Sequence, residues 1–209
     1  MAALLFVPAG TLRFWQAWVF LALVVVPTLY SLHHLYLHKP KLLERRLQRK
    51  ERYKQQKIFQ IAWTLIFFAS FIVAGLERRF GWSLTFVGPM PLWINVIAQA
   101  FVFAGVLLTI RVMLTNEYAS RIIEVELGQT LVSSGPYSVV RHPMYSGILL
   151  QMVATPFALG SYLAVPLFAL LIPVMAFRLL HEERVLSKDL PGYREYCERV
   201  RFRLVPRVW

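Results

Sequence analysis

Two short runs hold the residues whose types and spacing could do chemistry. The first is Arg141-His142-Pro143-Met144-Tyr145-Ser146-Gly147, reached through the turn Gly135-Pro136-Tyr137. Run and turn together offer a guanidinium, an imidazole and two phenols beside an apolar run. The second is Arg178 followed by Glu182 and Glu183. Arg178 and Glu182 stand four apart, so on a helix they share a face. An arginine at a membrane edge can fork onto a carboxylate or phosphate. A glutamate one turn further on can accept hydrogen bonds from hydroxyls or balance a cationic ligand. A surface ion pair is the simpler reading of the same spacing. His142 could serve as a base near neutral pH or as a hydrogen-bonded structural histidine. Polar groups set this densely against apolar sequence cost free energy unless they are paired or used.

Other chemistries find no support. A Gly-rich dinucleotide fingerprint, a P-loop, a nucleophile elbow and an HExxH run are all missing from the sequence. The single cysteine, Cys197, excludes an internal disulfide and a CxxC metal site. His33, His34 and His38 have no acidic or cysteine partner nearby, so they read as interfacial histidines and no metal is expected.

The elements that must position these residues are apolar. Of 209 residues, 57% are hydrophobic, and the mean hydropathy is +0.53. Soluble domains sit nearer 45–50% apolar, so the chain reads as an integral membrane protein. Length predicts one domain over residues 1–209. Apolar runs predict three spans within 1–114, at 14–35, 58–76 and 92–114. Residues 2–7 are apolar but short, and are read neither as a cleavable signal nor as a span. Residues 115–141 form a polar connector, with alternation over 122–132 that predicts a hairpin or extended loop. Two shorter spans, 144–159 and 162–179, form a helical hairpin joined at Gly160-Ser161. A polar tail follows; its opening helix ends at Leu190-Pro191-Gly192 and another turn starts at Tyr193. The expectation is an all-α membrane protein of about five transmembrane helices, with a helical C-terminal tail packed on the cytoplasmic side.

Charge sets the topology. The net charge is +12. A basic balance can mean nucleic acid, but these cations adjoin apolar spans and no nucleic-acid recognition motif accompanies them. Nine lysines and arginines fall in residues 39–57, which read as an amphipathic, lipid-facing connector. Five spans place nineteen Lys and Arg on one side and three on the other. The positive-inside rule then puts the N-terminus outside and the connector 115–143 and the tail in the cytoplasm. Both chemistry-bearing runs thus meet the compartment where a soluble nucleotide-like cofactor is found.

From about Arg111 onward, three elements carry a resemblance: Leu131-Val132-Ser133-Ser134-Gly135-Pro136-Tyr137; the Arg-His-Pro-Met-Tyr-Ser-Gly run at 141–147; and Arg178 with Glu182-Glu183, followed by Leu190-Pro191-Gly192-Tyr193-Arg194-Glu195-Tyr196. Together these resemble the isoprenylcysteine carboxyl methyltransferase family and its bacterial relatives, including phospholipid methyltransferases. The linker before Tyr193 departs from the Phe-Gly plus acidic residues of many members. The resemblance implies a membrane methyltransferase that uses S-adenosylmethionine. It implies that Gln129, Thr130, Leu131, Val132, Tyr137, His142, Pro143, Met144 and Tyr145 line the cofactor, with Glu124 a looser match. Glu182 would hold the cofactor, or Glu183 if the register is off by one, and Arg178 would orient the substrate. The implied acceptor is an amphiphile, most simply a carboxylate. Membrane lipids would be its surroundings, and no obligate protein partner is inferable. A phospholipid amine acceptor, an NADPH-dependent membrane reductase, and a non-enzymatic lipid-binding protein remain the alternatives.

Overall fold

The computed structural model describes residues 1–47, 54–116 and 130–209. Its described elements are helical, in the order α1 (Ala2–Ala9), α2 (Trp15–His38), α3 (Pro40–Leu47), α4 (Lys54–Phe80), α5 (Leu92–Thr115), a 3-10 turn (Gly135–Ser138), α6 (Pro143–Ala158), α7 (Ala164–Asp189) and α8 (Tyr193–Arg199). Four of them are long and apolar enough to cross a membrane: Trp15–His38, Lys57–Phe80, Leu92–Thr115 and Ala164–Asp189. The expected fifth span, α6, has 16 residues. At 1.5 Å per residue it is about 24 Å long, short of the roughly 30 Å apolar thickness of a bilayer.

Two glycines let α6 lie against α5. A Cβ on Gly105 would stand 2.7 Å from the Gly147 carbonyl oxygen, and one on Gly147 would stand 2.9 Å from the Gly105 carbonyl oxygen. Only two bare backbones fit there, as at other small-residue crossings in membranes. Proline at the first position of α6 suits a helix start, where its missing N–H is not needed.

The far end of α6 is tied down by polar side chains. Asn95 Nδ2 donates to the Phe157 carbonyl at 2.7 Å, and Gln99 Nε2 donates to the Ala158 and Gln16 carbonyls at 3.0 Å each. Glu77 accepts from the Ser161 hydroxyl and, at 3.0 Å, from the Leu163 N–H. Helix-terminal carbonyls and turn N–H groups deep in an apolar bundle need such partners, because no water is there to satisfy them.

One expectation requires correction, and one element was not foreseen. The tail does not open with a helix of its own: α7 runs unbroken to Asp189, carrying Arg178, Glu182 and Glu183 on one rigid rod. And residues 2–9 form a helix, which packs on α4 where a Cβ on Gly75 would stand 2.6 Å from the Leu5 carbonyl oxygen. Leu5 is wholly buried there. Of the predicted hairpin at 122–132, residues 122–129 lie outside the described residues, and 130–132 carry no regular element.

Candidate active site

The C-terminal ends of α5 and α7, the start of α6 and the tail meet at one end of the bundle. Asn116, just past α5, donates to the Tyr137 hydroxyl at 2.9 Å. The tail returns to α6 by backbone pairing: Arg141 N–H donates to the Phe202 carbonyl at 2.9 Å, and His142 N–H to the Arg203 carbonyl at 3.0 Å. Ser146 Oγ adds a bond to the Leu204 carbonyl at 2.6 Å. The tail is therefore a wall of this site.

Glu183 is the hub of that wall. One of its oxygens accepts from Arg141 Nε at 2.8 Å and the other from Arg203 Nε at 2.8 Å. His142 Nε2 lies 3.3 Å from the first oxygen. Glu183 is 12% exposed and Arg141 8%. Arg141 also donates to the Val200 and Arg201 carbonyls at 3.2 and 3.1 Å. A buried carboxylate with this many donors is neutralised where it stands, and the donors are satisfied too.

Glu182, one position earlier, has a different environment. It is 27% exposed. Its Oε2 accepts from the Tyr145 hydroxyl at 2.8 Å, and that hydroxyl in turn accepts from Arg178 Nε at 3.0 Å. Its Oε1 lies 3.9 Å from His142 Nδ1. One phenol thus bridges an arginine and a glutamate that the sequence places on one helix face. The Arg178 guanidinium also sits 5.7 Å from the centre of the Phe59 ring at the start of α4, an attractive cation–π placement.

The structure brings His142, Tyr145, Arg178, Glu182 and Glu183 into one connected cluster. Pro143 is buried at the head of α6 and Met144 is half-buried beside it. Leu131 packs against the buried group Leu190, Tyr193 and Tyr196. Val132 is half-buried and Thr130 exposed. Tyr137 is held through its carbonyl, which accepts from Tyr196 OH at 2.7 Å. Burial pushes the Tyr196 phenol well above the usual tyrosine range, so it stays a donor at any physiological pH. Glu124 and Gln129 lie outside the described residues.

Arg141 and Arg203 were missed as site residues. Arg141 carries a signal, being part of the motif. Arg203 carries none: it is one of several tail arginines, and only the fold brings it to Glu183.

Fold and site together define a helical membrane protein with a polar, half-enclosed centre at one end of its bundle. Residues 93–191 match the family model described as phospholipid methyltransferase. Over those residues the chain is similar to this family, a group that covers the isoprenylcysteine methyltransferase-like proteins. Two curated relatives are similar. The chain is 30% identical over 145 residues to the cobalt-zinc-cadmium resistance protein CzcN of Cupriavidus metallidurans, covering 66% of this chain and 59% of that one. It is 33% identical over 92 residues to the delta(14)-sterol reductase TM7SF2 of Mus musculus, covering 42% of this chain and 22% of that one. The chain thus spans less than two thirds of either relative.

Proposed function

We propose that the chain transfers a methyl group from S-adenosylmethionine to a carboxylate on a lipid-like amphiphile. The observation that supports this most is the Arg178–Tyr145–Glu182 bridge, which offers a cation and an anion a few ångströms apart at the end of an apolar bundle. The donor set suits the cofactor. S-adenosylmethionine supplies an electrophilic methyl on a sulfonium when bound. Glu182, the more exposed of the two glutamates, is the acid available to a cationic ligand or to ribose hydroxyls. Glu183 is committed to Arg141 and Arg203 and is not.

The protein's own part is orientation and exclusion of water, which for a well-aligned displacement can supply several kcal/mol. Arg178 would hold the acceptor carboxylate, with the Tyr145 hydroxyl linking its Nε to Glu182. A carboxylate acceptor is already a nucleophile and gives up no proton. An amine acceptor has to lose one, and His142 is poorly free to take it: the ring is 4% exposed with a glutamate at each nitrogen. That leaves Glu182 as the base an amine acceptor would need, whereas a carboxylate acceptor needs none. By the positive-inside count, the site faces the cytoplasm and the acceptor enters from the bilayer.

The test is calorimetric binding of S-adenosylhomocysteine to detergent-purified protein, wild type beside Glu182→Ala, with NADPH as a second ligand. Micromolar binding of S-adenosylhomocysteine that weakens at least tenfold in the variant supports the reading. Binding of NADPH alone would move the chain toward the chemistry named for its sterol reductase relative. Label transferred from S-adenosylmethionine and released as methanol by mild base marks an ester. Base-stable label marks the amine.

A further inference from the structure

α7 presents a second face that the methyl-transfer reading does not use. Beside Glu183, a groove of about 450 Å³ runs between the end of α7 and α8, open to solvent. Its walls include Arg184 and Lys188 from α7 and Arg194 from α8, with Ser187 between them and Leu180 at the end nearest the apolar part of α7. Arg184, Lys188 and Arg194 are exposed, and among the described residues none of the three has a hydrogen-bond or ion-pair partner. Arg203 also lines the groove, but it is held by Glu183 and lies over the Trp209 ring at 5.3 Å. The one acid among the described wall residues is thus already neutralised by Arg141 and Arg203. Three cations without an ion-pair partner among the described residues, and a hydroxyl, remain on this concave surface.

Like charges lining one groove repel, and an anion bound there would relieve the repulsion. A phosphate offers the acceptors that two guanidiniums, an ammonium and a serine hydroxyl can bind together. Leu180 and the apolar span behind it give such a ligand an acyl chain's path back into the bilayer. We propose that this groove is a headgroup site for an anionic phospholipid, separate from the Arg178–Glu182 centre. Glu183 is the physical link between the two: its carboxylate borders the groove while holding His142 and Arg141. Lipid in the groove would brace the tail wall of the active site.

The test needs no turnover. Purified protein is reconstituted in zwitterionic phosphatidylcholine nanodiscs with a titrated fraction of phosphatidylglycerol, and bound lipid is counted by native mass spectrometry alongside the thermal midpoint. Near an anionic surface each basic residue is worth roughly a fivefold change in affinity, so Arg184→Gln with Lys188→Gln and Arg194→Gln together should lower phosphatidylglycerol affinity by about a hundredfold. A control with the same charge loss outside the groove, Arg111→Gln with Arg199→Gln and Arg201→Gln, should retain most of it. Equal loss in the control means diffuse attraction and overturns the proposal. So does an unchanged affinity in the groove variant. Inorganic phosphate at millimolar concentration is the third arm: if it raises the wild-type midpoint as much as the lipid does, the ligand is a free phosphate and the lipid assignment fails.

Discussion

Adjacent glutamates with the same chemistry should fail in opposite ways. Glu183→Ala removes the acceptor for two arginines and a histidine, and Arg141 is left with a buried, partly unpaired guanidinium. Breaking one side of a buried ion pair costs about 3–5 kcal/mol. Glu182→Ala removes one acceptor for the Tyr145 hydroxyl at a 27% exposed position. A net hydrogen bond of that kind is worth about 0.5–1.5 kcal/mol. For a chain of this length each kcal/mol moves the midpoint by about 2–4 °C. Glu183→Ala should therefore melt about 6–20 °C below wild type, and Glu182→Ala only about 1–6 °C below. Glu183→Gln keeps the shape and loses the charge, and should fall between the two. The assay is intrinsic-fluorescence unfolding of the three variants in one detergent, with S-adenosylhomocysteine affinity measured well below every midpoint. Ligand affinity should fall most in Glu182→Ala. If Glu182→Ala is the less stable variant, or if Glu183→Ala melts within about 2 °C of wild type, the division of labour between them is wrong.

Three further outcomes are expected. Arg178→Ala should abolish turnover while S-adenosylhomocysteine affinity stays within a few-fold of wild type; equal collapse of both would remove its substrate-orienting role. Gly105→Ala forces a methyl to 2.7 Å from the Gly147 carbonyl and should cost about 1–3 kcal/mol or more, read as a lowered midpoint, whereas a wild-type midpoint would contradict the close crossing. Burial raises the Cys197 thiol, with Glu183 adding to the rise and Arg141 opposing it, so at a given pH it holds less thiolate than a free cysteine. Maleimide should modify it slowly at neutral pH, faster as pH rises, and at the rate of a free thiol only in denaturant; fast native labelling would contradict the burial.

Sidedness has its own check. In a Cys197→Ser background, Thr85→Cys places a probe on the exposed connection between α4 and α5. A membrane-impermeant maleimide should label it on intact cells. Labelling only after the membrane is opened would reverse the orientation drawn from the charge count.

The spans were legible because runs of about twenty apolar residues have few other uses. α1 was not legible, since eight apolar residues do not predict a helix alone; this one is fixed by Leu5 and Ala9 packing at Gly75 of α4. The choice between Glu182 and Glu183 was not legible for a related reason. Successive helix residues point about 100° apart, and what meets each direction arrives from elsewhere: Tyr145 from α6 on one side, Arg203 from the tail on the other. The continuity of α7 through its polar end was missed because a polar composition shift looks like a boundary, although nothing in Arg178 to Asp189 breaks a helix.

The seven-residue run at 141–147 now reads as a joint with a duty for nearly every position. The Arg141 and His142 backbone pairs with the tail while their side chains meet Glu183. Pro143 starts the helix, Tyr145 couples Arg178 to Glu182, Ser146 pins Leu204, and Gly147 admits α5. Such density follows from position. The first turn of a helix can face three neighbours at once, because its N–H groups are not yet used within the helix and its side chains fan out around the axis. Here the neighbours are α5, α7 and the tail. The same turn that seals the wall of the site also sets the distance between its cation and its anion. A variant such as Gly147→Ala should therefore disturb the chemistry although it touches neither: the added methyl, 2.5 Å from Thr109 Oγ1, pushes α6 off α5 and carries Tyr145 with it. The sign of that effect is a loss of turnover larger than the loss of stability, measured on protein well below its midpoint. A loss of stability alone would mean that the helix start tolerates the shift.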